Sequence, residues 1–413
     1  MSKKKYHIAI VLFGFYESGL SLAQALSEQG HYVDVYSFSS RLNSSSAGFG
    51  FEYETKWHYR LPGHLYEIDY SKSKGVSFAS SDGNSHVYIM QSTMTGVSRH
   101  GTQKRILEFI SKFFLKRIAK KINKKNYDLV EIVSQDYFSR HLYTAIKAPQ
   151  VHSFHEVSDV IERDYKKMEA LVELSVKRGD NIRVYSEKSA DTFELLYKKK
   201  YSKLYIVPFG LFTNYKDFGD IRISEMENER DYILYFGLIV PYKGISVLYG
   251  AMLEFWKTHP NVKCVVAGKG NDAVLDKMKA DSRFVIFNRL LTNDEVVYFI
   301  KRSKFLVCPY LKASQSGLPQ TAYVFGKPIV ATNVGAFPDV ISQGNTGLLV
   351  SPNNATELCR AMAELYDNID TFNCITNNLQ HYETFNEKIS WQNIANQYIE
   401  MIKEIHKNYE YKM

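Results

Sequence analysis

Only four cysteines occur in 413 residues (Cys264, Cys308, Cys359 and Cys374), far apart and with no CxxC spacing. Such usage excludes a disulfide framework and fits a reduced, cytoplasmic compartment; Cys264 and Cys308 fall inside apolar runs, as core thiols do. No uncharged apolar run approaches the ~18 residues that span a bilayer. Internal repeats and low-complexity tracts are absent. No GxGxxG follows the first apolar run, which argues against a dinucleotide oxidoreductase. Nor is there a recognised motif or basic–aromatic platform for nucleic acid. The formal charge of +8 is moderate and suits an anionic partner such as a nucleotide or phospholipid. Lys3 to Lys5, Ile8 to Phe15 and Ala23-Gln24-Ala25 imitate a secretory leader. The Gly turn after Phe13 and the helical period beyond it read instead as a buried strand followed by a helix.

What is present is a packed globular pattern. Hydrophobic residues make up 45%, with 30 Tyr and 25 Phe, and the length asks for two domains. Short apolar runs alternate with helical patterns. The expected strands are Tyr6–Phe13, Tyr32–Phe38, Leu129–Val133, Val151–Phe154, Ile182–Tyr185 and Leu204–Val207, then Tyr232–Phe236, Lys263–Ala267, Phe284–Phe287, Phe305–Cys308, Pro328–Ala331 and Gly347–Val350. This alternation predicts an α/β protein with two parallel, doubly wound Rossmann-like sheets. Residues 1–212 and 213–389 form the two domains, and a final helix over 390–413 returns to the first. Phe212 to Asp231 is polar, lacks an apolar period and reads as the linker. Residues 39–105 read as loops with a hairpin. Ligands of such sheets sit beyond the carboxyl ends of the strands, so two domains facing each other would enclose a cleft.

Several strand ends carry candidate chemistry. FGFYESG (Phe13 to Gly19) is a turn that lets a ligand approach, although an ordinary strand–helix turn explains it equally well. VHSFHEVSD places His152, His155 and Glu156 at one strand end, where His155 could meet a sugar hydroxyl or a developing charge. A satisfied structural histidine is the alternative, and no third ligand stands at metal spacing. YILYFGLIVPYKGISVLYGA ends a strand at Gly237 and offers Lys243 as a point charge for a diphosphate. VVAGKG adds Gly268 and Gly270. In ASQSGLPQTAYVFGKPIVATNVGAFPDVI, Ser314, Gln315, Ser316 and Gly317 form a loop before a helix that begins near Leu318-Pro319, a ready anion site. No Asp or Glu occurs from Ala313 through Asn333.

The order YFGLIVPYKGI, VVAGKG, LTNDEVVYFIKRSKFLVCPY, SQSGLPQTAYVFGKPIVATNVGAFPDVI and NTGLLVSPNN resembles the C-terminal domain of GT-B glycosyltransferases of the group-1, family-4 type. IVPFG (Ile206–Gly210) and SWQNIANQYIEMIKEI extend the resemblance over essentially the whole chain. It implies a retaining transferase that moves a hexose-type sugar from a nucleotide-diphosphate donor to a glycan or lipid-linked acceptor in bacterial surface-polysaccharide assembly. No cofactor and no metal are expected. The donor belongs to the second domain (Gly237, Lys243, Gly268, Gly270, Ser314, Gln315, Ser316, Gly317, Leu318) and the acceptor to the first (Gly14, Phe15, Tyr16, Glu156). His155 and Lys243 are the catalytic candidates. Lys243 matches the family's donor-phosphate lysine. The partner arginine is Leu238 here. The paired glutamates are missing: their positions are Ser314 and Ala322, or Ala313 and Thr321 if aligned on Gly326-Lys327-Pro328. A catalytically silent GT-B subunit that binds a sugar nucleotide or a partner enzyme is the other reading.

Gly101 to Lys125 holds nine Lys or Arg and one Glu, with Leu107, Ile110, Phe114, Ile118 and Ile122 on one helical face. Two expectations fit: a sheet-packed helix with a solvated basic face, or a helix on an anionic membrane surface, the inner face of the cell membrane.

Overall fold

In the computed structural model, β1 (His7–Leu12) has neighbours on both edges and helices on both faces. It pairs in parallel with β2 (Tyr32–Phe38), Ile8 opposite Val33, and with Leu129–Val133, Ile8 opposite Leu129. Ile8, Ile10 and Leu12 pack on one side with Leu22 and Leu26 and with Ile394, Tyr398, Ile402 and Ile405 of the C-terminal helix Trp391–Glu410. Ala9 and Val11 point to the other side and meet Leu115, Ile118, Ala119 and Ile122. Burial on both faces is why this strand reads as an unbroken apolar run. The stretch that imitates a leader thus forms β1 and α1 (Tyr16–Glu28).

The structure describes all residues except 1–3, 39–50, 55–60, 70–71, 77–84, 91–101, 134–138, 156, 158–164, 179, 198–200, 314, 377–389 and 411–413. Two units result: Met1–Gly210 with Trp391–Met413, and Leu211–Ser390. The remaining strands of the first unit are β3 (Glu52–Tyr53), β4 (Leu65–Glu67), β5 (Ser73–Lys74), β6 (His86–Met90), β7 (Leu129–Val133), β8 (Gln150–Ser153), β9 (Asn181–Val184) and β10 (Leu204–Ile206). Its main sheet runs β10-β9-β8-β7-β1-β2-β6-β4, parallel except for β4, and β3 pairs with β5 as a small antiparallel ribbon.

The second unit contains β11 (Tyr232–Phe236), β12 (Cys264–Ala267), β13 (Phe284–Phe287), β14 (Ser303–Cys308), β15 (Ile329–Thr332) and β16 (Gly347–Val350). They form one parallel sheet in the order β13-β12-β11-β14-β15-β16. Ile233, Tyr235 and Val266 pack against Leu248, Met252 and Phe255 of the helix Ile245–Phe255 and Leu358, Met362 and Leu365 of the helix Ala355–Asp367. The helix Asn293–Arg302 opens on a capping box: Glu295 N donates to Thr292 Oγ1 at 3.2 Å, and Thr292 N donates to Glu295 Oε2 at 2.9 Å. Among the described residues no helix is long and apolar enough to cross a membrane.

The stretch read as a linker is a packed part of the second unit. Phe212, Tyr215, Phe218, Ile223 and Met226 are buried around two short 3-10 turns. Tyr298 donates its hydroxyl to Met226 O at 3.2 Å, and Gly219 N donates to Asp294 Oδ1 at 2.9 Å. Apolar residues inserted at irregular spacing leave no period to detect.

Candidate functional site

In the second sheet the strand order reverses between β11 and β14. The crevice of an open parallel sheet lies beyond the carboxyl ends at such a point. The turns leaving these strands carry the donor-side candidates. β11 ends at Gly237 (φ 138), and the turn after β12 lies directly against it. A Cβ on Gly268 (φ 148) would stand 1.8 Å from Gly237 O, and one on Gly270 would stand 1.9 Å from Ile239 O. Gly237 N donates to Ala267 O and Ile239 N to Lys269 O, each at 3.0 Å. These glycines let two backbones touch, a packing demand that no side chain could meet.

Lys243 closes the short turn Pro241–Lys243. Gly244 (φ 68) follows, and a Cβ there would be 1.8 Å from Pro309 O. Leu311 N donates to Tyr242 O at 2.8 Å. The Lys243 turn is therefore fixed against the chain that leaves β14. Lys243 Nζ lies 3.7 Å from the centre of the Tyr310 ring. The Ser316 side chain lies beside the Tyr310 hydroxyl, and a Cβ on Gly237 would be 3.9 Å from that hydroxyl. Burial holds the Tyr310 hydroxyl well above its ordinary pKa, so it stays neutral. Tyr310 thus gathers Gly237, Lys243 and Ser316 from three separate turns. It was not singled out from sequence, although CPY ends three residues before the SQSG loop.

Gly317 precedes the helix Leu318–Val324, and a Cβ on it would be 2.4 Å from the Phe212 ring. Leu318 N donates to Ser316 Oγ at 3.4 Å, and Pro319 has no N–H. With seven residues, all buried, this helix offers little dipole at its start. Lys243, more than the helix, supplies positive charge here. Gln315 is half-buried, and Ser314 lies outside the described residues. Of the positions where the resembled family carries glutamates, Ala322 and Thr321 are buried within this helix, and Thr321 Oγ1 donates to Gly317 O at 3.0 Å. Leu238 is exposed.

The first sheet reverses between β1 and β7. Phe13 N donates to Val133 O at 3.1 Å across that point. The left-handed residue of the turn is Phe15 (φ 51), not Gly14, and its exposed ring lies parallel to His155 at 3.7 Å. Tyr16 is buried and donates its hydroxyl to Phe38 O at 2.6 Å. Expected at a cleft wall, His155 is only 3% exposed. Tyr185 covers its other side at 4.1 Å, and its Nε2 is 3.4 Å from Ser18 Oγ. Burial, then the charge of Arg183, hold its pKa well below 6.5. The imidazole is neutral, which corrects the expectation of a group facing developing charge: two aromatic rings, distant in sequence, cover it. His152 turns to the other face of β8, 3.1 Å from Ser175 Oγ, with its pKa pushed down to about 3 by burial and then Arg178. Glu156 lies outside the described residues.

Two further features escaped sequence reading. Glu17 is half-buried in the first turn of α1, its Oε2 shielded and without a hydrogen-bond partner, and burial raises its pKa to about 7. Glu131 and Arg183 form a buried pair: Arg183 Nη1 donates to Glu131 Oε1 at 2.7 Å, and Tyr398 donates to Oε2 at 2.8 Å. Arg183 also donates to Val207 O and Pro208 O, fixing the turn Val207–Gly210. Cys264 and Cys308 are buried free thiols, the latter pushed up to about 12 by burial; Cys359 is partly exposed and the Cys374 side chain lies outside the described residues. No cluster of three metal-type ligands occurs among the described residues.

The family model for glycosyl transferases group 1 matches residues 230–368. An uncharacterized glycosyltransferase of Methanocaldococcus jannaschii is 29% identical over 177 residues, 40% of this chain and 46% of that protein. The chain thus spans just under half the length of the first curated relatives it matches. The O-antigen chain mannosyltransferase C of Escherichia coli is 23% identical over 284 residues, 65% of this chain and 74% of that protein. Anabaena HepE, solved in complex with UDP and glucose, superposes with a TM-score of 0.63 over 97% of this chain and all of that chain, at 13% identity, a likeness of fold alone. Residues 230–368 of the second unit thus match the group 1 glycosyltransferases, and the chain has the GT-B fold of its solved structural neighbours.

Proposed function

We propose that this protein moves a hexose-type sugar from a nucleotide-diphosphate donor to a glycan or lipid-linked acceptor, with retention of configuration, in surface-polysaccharide assembly. The convergence of Lys243, Ser316 and Gly237 on Tyr310, at the switch point of the second sheet, carries this reading. Lys243 neutralises the diphosphate as the bond from the anomeric carbon to its phosphate oxygen breaks. The nucleoside diphosphate leaves with the electron pair. The acceptor oxygen forms the new bond, and its proton passes to the departing phosphate oxygen. Gln315, Ser316 and Tyr310 give neutral hydrogen bonds where the resembled family uses carboxylates. In the first unit the turn at Gly14, Phe15 and Tyr16 belongs to the acceptor side, with neutral His155 backing the Phe15 ring at 3.7 Å. HepE with UDP-glucose supports a sugar-nucleotide donor, and the O-antigen mannosyltransferase supports a polysaccharide role.

A second reading, a silent GT-B subunit that binds donor without transfer, draws on exposed Leu238 and the buried Thr321 and Ala322. Purified protein offered radiolabelled sugar nucleotides with lipid-linked and glycan acceptors separates the two. Transfer is expected, with a loss on the order of 100-fold in Lys243→Ala at unchanged melting temperature, the scale of one lost charge-stabilising group. Donor binding without transfer or hydrolysis across the panel selects the silent subunit instead.

A further inference from the structure

The helix α2 (Thr102–Asn123) does not pack as its sequence period suggests. Ser111, Leu115, Ile118, Ala119 and Ile122 are its buried residues. Ile110 and Phe114 are half-buried flanks, with the Phe114 ring filling the space beside Gly63, and the Leu107 side chain lies outside the described residues. On the opposite face Ile106, Phe109 and Phe113 are 55%, 75% and 62% exposed. At about 100° per residue these three share one sector, roughly 100° wide, with the exposed cations Lys116, Arg117 and Lys120, and exposed Lys124 follows directly after the helix end. From Ile106 the outward face is therefore apolar over ~10 Å and basic over the next ~10 Å, at ~1.5 Å per residue. The one acid of the helix, Glu108, is held by Arg140 and lies 3.6 Å from His141, so it does not offset that charge.

We propose that this face docks on an anionic lipid surface. Ile106, Phe109 and Phe113 enter the boundary between headgroups and acyl chains, while Lys116, Arg117, Lys120 and Lys124 meet lipid phosphates. Apolar side chains next to a row of cations match the layered chemistry of a bilayer surface: apolar within, anionic above. Nucleic acid would satisfy the cations but leave the apolar end in water. The surface stands apart from the proposed transfer reaction and does not rest on it.

Flotation of the full chain with phosphatidylcholine vesicles, with and without phosphatidylglycerol, tests the proposal. Binding is expected only with the anionic lipid and is expected to weaken as salt rises. The double variant Phe109→Ser/Phe113→Ser and the double variant Lys116→Glu/Lys120→Glu should each lower the bound fraction about tenfold. All these side chains are exposed, so circular dichroism and melting should be unchanged. A Trp placed by Phe109→Trp should shift its emission to the blue on anionic vesicles and not on neutral ones. Absence of flotation, equal flotation on neutral vesicles, or indifference to both double variants overturns the proposal. So does a concentration-dependent dimer that Phe109→Ser/Phe113→Ser abolishes in a chain that does not float.

Discussion

Glu17 shows how one side chain can report on its surroundings. Its Oε2 has no hydrogen-bond partner, and burial raises its pKa from 4.5 to about 7. Because the folded state binds the proton more tightly than the unfolded chain, Glu17 favours folding fully below pH 4.5, and that contribution fades as pH rises through 7. Buried His152 and His155, with depressed pKa values, act in the opposite sense: stability falls as pH drops below 6.5. A difference between two proteins that share both histidines cancels them. Urea unfolding of the wild type and Glu17→Gln at several pH values should therefore show the variant gaining on the wild type. The expected gain is on the order of 1 kcal/mol per unit between about pH 5 and 7, with no further change above. A pH-independent difference would mean that Glu17 is solvated in the native state.

At the scale of elements, the C-terminal helix Trp391–Glu410 is tied to the first sheet by burial of Ile394, Ile402 and Ile405 and by the bond from Tyr398 to Glu131. Removing the Tyr398 hydroxyl strands a carboxylate oxygen in the core. Tyr398→Phe should cost about 1–3 kcal/mol, and Arg183→Met more, about 3–5 kcal/mol, because a whole buried charge then loses its partner. Hydrogen exchange should locate the Tyr398→Phe effect in residues 391–410 and in β7; a loss spread evenly over the chain would deny that tie. Nothing local in the sequence announces this network, whose members lie 52 and 267 residues apart. By contrast, each of the twelve strands expected from sequence is present within two residues, since parallel strands buried on both faces are continuous Val, Ile, Leu and Phe runs. The four strands β3 to β6 were read only as loops with a hairpin: β3, β4 and β5 are too short to show a period, and HVYIM sits among irregular loops. The turns after β11 and β12 were legible as turns because only glycine allows the contacts at Gly244 and Gly268. Two things were hidden by long-range packing: the cover of Phe15 and Tyr185 over His155, and the outward turn of Phe109 and Phe113, which breaks the apolar period of α2.

At the scale of the whole molecule, each unit has its own sheet and core, so a donor held by the turns after β11, β12 and β14 stabilises the second unit directly. A ligand that binds only the folded state adds about 2.7 kcal/mol at a concentration 100 times its Kd. A panel of sugar nucleotides should therefore raise the unfolding temperature for the right donor alone. Hydrogen exchange with that donor should slow over 237–244, 268–271 and 309–318. The central strands β11 and β14 exchange slowly in any case and should change little, because their amides open only with the unit as a whole. The turns lie outside the strand ladders and open more readily, and a bound diphosphate would close them. Tyr310→Phe keeps the ring beneath Lys243 but removes the hydroxyl beside Ser316. It should weaken the donor-dependent protection at 309–318 and spare that at 268–271. Protection confined to residues 13–18 would move donor recognition to the first unit and break the assignment of Lys243 as its counter-charge.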